Sequence, residues 1–178
     1  MSYKLLSFNN PKIVKGEKIS NYLTAIMHLS PINTKICPYQ DVAGCKEACL
    51  NTAGRGGIIK KGETTNVIQE ARKRKTNLYL EDKETFMSYL ITDIQKFVRY
   101  CEKKDKLPCL RLNGTSDIQW EKIDIEGQNI FEMFPNVQFY DYTKIPTRKV
   151  DKIPNYHLTW SYSEANEKYA EMFNQVPN

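Results

Sequence analysis

A stripe of apolar residues constrains this chain more than any other feature. Phe86, Met87, Leu90, Ile91, Ile94, Phe97, Val98 and Cys101 recur at spacings of three and four. That period places them along one side of an α-helix. A helix over 83–104 with such a stripe needs a second layer to cover it. Lys103 and Lys104 end it with charges that suit a helix C-terminus. Four short runs can supply that layer: 22–29 (YLTAIMHL), 107–112 (LPCLRL), 137–142 (VQFYDY) and 156–162 (YHLTWSY). Their length and their aromatic and β-branched bias read as strands.

Helical patterns fall between these runs. One starts at Thr64 or Thr65 and carries Val67, Ile68, Ala71 and Leu78. Ser116 and Gln119 form a capping box for a helix that fades before Pro135, and Ser161 and Glu164 form another. The latter opens a last helix with Tyr169, Met172 and Phe173 on its face. Strands alternating with helices predict an α/β fold, with a mostly parallel sheet of about four strands and helices on one face. The expected layout is a single domain over 1–178, with an irregular lead-in at 1–20 and a cysteine-rich loop at 30–62. In such sheets functional residues gather at the C-terminal ends of the strands.

Composition removes several classes. With 40% hydrophobic and 26% charged residues, bulk disorder and fibrous folds are excluded. No apolar run is long enough to span a bilayer. Lysines at 4, 12, 15 and 18, without a continuous apolar stretch, argue against a signal peptide and for a cytoplasmic protein. The net charge of +5 permits a polyanionic partner without requiring one. Arg72, Lys73, Arg74 and Lys75 form a basic run that could touch nucleic acid, with Arg55, Lys60 and Lys61 near it. The wet face of a helix explains the same run. No phosphate-binding loop, Gly-x-Gly-x-x-Gly or His-Glu-x-x-His is present.

The chemistry concentrates in the cysteines. There are five, and a reducing compartment makes a disulfide framework unexpected. Cys37, Cys45 and Cys49 fall within thirteen residues, spaced Cys-x7-Cys-x3-Cys. Thiolates suit zinc or an iron–sulfur cluster. Three of them leave one position of a four-site centre open. A cluster can give that position to an outside ligand, whereas a structural zinc would need a fourth ligand from His28, His157, Cys101, Cys109 or water. Gly44, Gly54, Gly56 and Gly57 would let the loop wrap tightly. Free cysteines packed as small hydrophobes remain the plain alternative, and Cys101 and Cys109 read as core. Asn113, Gly114, Thr115, Ser116 and Asp117 form a turn after the second strand. They are cap and turn residues or, at the mouth of the sheet, ligands. Lys144 closes the third strand and could meet a carboxylate or phosphate. His157 and Trp160, three apart on the last strand, face opposite sides.

The segments CPYQDVAGCKEACLNTAGRGG, LRLNGTSD and FYDYTK resemble the phage family called gene product 88 over roughly residues 20–165. That resemblance implies a phage protein in the host cytosol and says little about a reaction. More distantly, the chain resembles radical S-adenosylmethionine enzymes. Those enzymes place three cluster cysteines after the first strand of a partial (β/α) barrel. A glycine-rich turn after the second strand holds the methionine amino group. Their spacing is Cys-x3-Cys-x2-Cys, and the gaps here are wider. This likeness implies a 4Fe–4S cluster on Cys37, Cys45 and Cys49, with adenosylmethionine near Asn113, Gly114, Ser116, Asp117 and Lys144. A full barrel takes about 250 residues, so the likeness further implies an open half barrel, or one that a dimer completes.

Two readings follow. In one, the chain is an iron–sulfur enzyme of the radical S-adenosylmethionine kind acting on a small molecule. In the other, it is a non-catalytic phage protein whose cysteine loop, with or without zinc, staples a domain that binds nucleic acid or a host protein.

Overall fold

The computed structural model of the chain describes residues 4–8, 11–46, 49–163 and 167–172. Its centre is a five-stranded sheet made of β1 (Leu6–Ser7), β2 (Tyr22–Met27), β3 (Leu107–Arg111), β4 (Gln138–Thr143) and β5 (Tyr156–Trp160). The strands lie side by side in sequence order, from β1 to β5. β2 to β5 are parallel and β1 is antiparallel to β2. The fold is therefore mixed α/β, with the expected parallel strands plus one short antiparallel strand.

Register explains the packing. Ala25 pairs with Leu110, Leu110 with Phe139, and Phe139 with Tyr156. All four are buried, and they form one row across the sheet. Side chains alternate across a strand, so this row faces one side, and it meets Phe86, Leu90 and Ile94 in the main core. Those three lie on α3 (Lys83–Glu102), whose apolar stripe covers the sheet as the sequence predicts. The opposite face carries Cys109, Arg111, Tyr140, Tyr142 and His157, all half-buried or exposed.

The helix pair before β3 has clear local causes. Asn66 caps α2 (Val67–Glu81) by accepting from the Ile68 and Gln69 amides at 3.0 Å each. Asp82 separates the two helices and caps α3 by accepting from the Thr85 amide at 3.0 Å. One residue thus closes one helix and opens the next.

Several expectations need correction. Residues 1–20 are not an irregular lead-in: they contain β1 and α1 (Pro11–Glu17). Ser116 and Gln119 open no helix. That stretch runs as irregular chain to a short 3-10 turn at Trp120–Lys122. The physical reason is that Ser116, Asp117, Ile118 and Trp120 are all buried, which no single helical face allows. The helix of this region is instead α4 (Ile130–Met133), capped reciprocally by Asn129 and Glu132. The last helix, α5 (Glu167–Glu171), buries Tyr169 as expected. Glu164 and Phe173 lie outside the described residues.

The described strands do not close into a barrel. Each crossover from β2 to β5 steps the same way, as in half a barrel, but the sheet stays open at β5 among the described residues. At the other side β1 occupies the outer edge of β2 in antiparallel sense, where a closing parallel strand would pair. No helix among the described residues is long and apolar enough to cross a membrane.

Candidate functional site

The carboxyl ends of β3, β4 and β5 open onto a cavity of about 400 Å³. Cys37, Cys45 and Cys49 line one part of it. Arg111, Asn113, Gly114, Ser116, Asp117, Tyr142 and Lys144 line the rest. The three cysteines proposed for a metal and Asn113, Gly114, Ser116, Asp117 and Lys144, proposed for a cofactor, therefore share one hollow, where parallel sheets place their ligands.

Backbone contacts explain this convergence. The Gly114 amide donates to the Met27 carbonyl (3.0 Å) and the Asp117 amide to the Ile36 carbonyl (2.9 Å). The Thr115 hydroxyl donates to the Leu29 carbonyl. These bonds stitch the turn after β3 onto the exit of β2 and onto the residue before Cys37. A side chain at position 114 would place its Cβ 2.5 Å from the Met27 oxygen and 2.9 Å from the His28 ring, so only glycine fits. In the cysteine loop, Gly44 takes φ +61° just before Cys45. The Asn51 amide donates to the Cys49 sulfur at 3.4 Å. Arg72 then holds that segment by donating to the Asn51 carbonyl (2.7 Å) and side-chain oxygen (3.1 Å).

Behind the cavity lies a buried polar network. Asp117 accepts from the Thr143 hydroxyl (2.8 Å), the Lys144 amide (2.7 Å) and Arg148 (3.2 Å). Arg148 is fully buried and also pairs with Glu121 at 2.7 Å. It donates to the Tyr156 hydroxyl at 2.8 Å. Asp141 accepts from the Asn113 amide at 2.8 Å and the Tyr156 hydroxyl at 3.3 Å. Burial pushes the Asp141 carboxyl up to about 7, against the pull of the Asn113 amide and of Arg148 and Arg111. Asn113 spends its side-chain oxygen on Ser116, the Ile118 amide and the Trp120 indole. Asn113 and Ser116 are thus the frame of the turn, and Asp117 is tied to β4 rather than to a helix dipole. Sequence reasoning missed Arg148, Glu121 and Tyr156; each meets the network only through long-range contacts.

The cysteines sense one another. Burial pushes the Cys37 thiol up to about 12, reinforced by negative charge at Asp117, Cys45 and Cys49. Burial also raises Cys45, partly offset by Lys144. Among the described residues, no three His, Cys, Asp or Glu side chains stand close enough to hold a metal ion. The donor types fit a thiolate centre, and the amide bond onto Cys49 is of the kind that supports thiolate ligands.

Other candidates lie elsewhere. His28 sits at the exit of β2, where burial and the charges of Arg72, Lys75 and Arg111 lower its pKa to about 4. His157 is exposed and borders a separate hollow beside the 145–154 connection. Trp160 stacks on Tyr169 at 5.5 Å. Cys101 is core and Cys109 is half-buried. The basic run does not present four charges to solvent. Arg72 is held by Asn51, Lys73 pairs with Glu70 at 3.1 Å, and Lys75 donates to the Leu5 carbonyl at 2.7 Å.

Comparison with curated proteins and with solved structures returned no match. The family model described as Gene product 88 matches residues 4–177. A match over that span settles the family: the chain belongs to the gene product 88 family of phage proteins.

Proposed function

We propose that this phage protein carries an iron–sulfur cluster on Cys37, Cys45 and Cys49 and uses it on a small molecule held in the adjoining cavity, in the manner of radical S-adenosylmethionine enzymes. One observation supports this above the rest. Three cysteines spread over thirteen residues, the 113–117 turn and Lys144 all line one hollow at the ends of parallel strands. A core role for the cysteines does not account for that arrangement, because all three are only half-buried. When bound, the cluster would supply an electron, and its fourth iron would take an outside ligand. The chain's own part is to wall the cavity, fix the turn and carry the local charge. Metal binding would displace the thiol protons that burial now retains.

The zinc-staple reading lacks a protein fourth ligand in this hollow, whose described lining includes none of His28, His157, Cys101 and Cys109. His157 borders a different hollow, and Asp117, the carboxylate in the described lining, is committed to Thr143, Lys144 and Arg148. The deciding measurement is iron, acid-labile sulfide and visible absorption of protein purified without oxygen. The expected result is a brown protein holding iron and sulfide, with both lost in Cys45→Ala. One equivalent of zinc in colourless protein would establish the staple instead. Protein without metal would remove the centre.

A further inference from the structure

Among the described residues lining this cavity, Arg111 is the cation that makes no hydrogen bond through its buried Nε. It ends β3 and projects from the face opposite α3, on the same side as Cys109. Its Nε is buried and has no hydrogen-bond partner. The nearest carboxylate oxygen, on Asp141, lies 4.0 Å away, beyond hydrogen-bond range. The guanidinium stands 4.9 Å over the Tyr142 ring, which orients its plane while leaving its edge unpaired.

The other cations near the site are occupied. Lys144 donates to the Tyr162 carbonyl at 2.9 Å, Arg72 to Asn51, and Lys75 to Leu5. Among the described residues, Asp117 is the single carboxylate lining the cavity, and it is tied to Thr143, Lys144 and Arg148. Burial, with the charges of Arg72, Lys75 and Arg111 added to it, lowers the pKa of His28 at the exit of β2. A buried guanidinium nitrogen with no acceptor is costly unless an acceptor arrives. A planar fork of donors matches the two oxygens of a carboxylate or phosphate.

We propose that Arg111 is the oxyanion receptor of this cavity. It takes the carboxylate or phosphate of a small organic ligand whose body lies between the cysteine loop and the Tyr142 ring. Lys144, the residue that the sequence suggested for an anion, instead braces the segment after β5. The inference does not depend on a bound metal, so it stands or falls separately from the cluster.

The test uses the full-length, metal-free chain with benzoate, phenyl phosphate and phenol as probes. Binding is read by calorimetry and by the ¹⁵N shift of the Arg111 Nε resonance. The expected result is saturable binding of at least one oxyanion, a shifted Arg111 Nε signal, and no binding of phenol. The tighter of the two oxyanions then tells whether carboxylate or phosphate is the natural group. Arg111→Gln should weaken binding at least tenfold, and Arg111→Lys should retain part of it. Lys73→Gln, which removes the same charge from the surface of α2, should leave it unchanged. Should Arg111→Gln not fold, the Nε shift in the unaltered protein still decides. An unmoved Nε signal, or equal weakening by Arg111→Gln and Lys73→Gln, would overturn the proposal.

Discussion

His28 and Asp141 show how single residues set the response of this site to pH. Burial lowers His28 from 6.5 to about 4, so the folded state resists its protonation. That contribution is present above pH 6.5 and is lost as pH falls toward 4. Asp141 has the opposite sign. Its raised carboxyl stabilises the fold at low pH and loses that contribution as pH rises from about 4 through about 7. The two partly cancel in the native protein. His28→Gln should therefore gain stability relative to the native chain as pH drops from 7 to 4, by up to about 3 kcal/mol. Urea unfolding midpoints at pH 7, 5 and 4 check this; a constant difference across the range would refute it. Residues of this kind were only partly legible in the sequence. Spacing flagged the 113–117 turn, because a glycine between polar residues after a strand marks a turn. It could not show that Asp117 answers to Arg148 or that Asn113 answers to Asp141, since those partners are 31 and 28 residues away.

At the scale of elements, the sequence was most readable where one period ran long. The stripe from Phe86 to Cys101 foretold α3, and the alternation of apolar runs foretold β2 to β5. It misled at Ser116–Gln119, where a local capping pattern was overridden by tertiary burial on all sides. It was silent on β1, a strand of two residues that exists through its pairing with β2. The corner between α2 and α3 invites a direct comparison. Asp82→Ala removes the cap of α3 and should cost about 1 kcal/mol. Leu90→Ala, in the fully buried stripe above the sheet, should cost about 2–5 kcal/mol. Chemical denaturation of the two variants checks the ranking; a costlier Asp82→Ala would mean that the corner, not the stripe, anchors the helix pair.

The whole molecule depends on its first few residues more than their number suggests. The Leu5 and Leu6 amides donate to the buried Asp93 carboxylate at 2.7 and 3.2 Å, and Lys75 donates to the Leu5 carbonyl. β1 meanwhile covers the edge of β2. Removing residues 1–8 would leave Asp93 without those donors and bare the edge of a central strand, a template for pairing with another chain. The shortened protein should be less stable by several kcal/mol. It should also self-associate as concentration rises, which light scattering would detect; a monomeric, equally stable product would contradict this account. The singly wound order has a practical corollary. With α3 packed on one side of the sheet and Arg111 and Tyr142 on the other, the molecule has a back and a front. Lys96, Arg99 and Lys103 on α3 and at its end are exposed at the back. A dye, a biotin or a sensor surface attached there would leave the front open, so a immobilised protein could be screened for its ligand with its binding side still facing the solution.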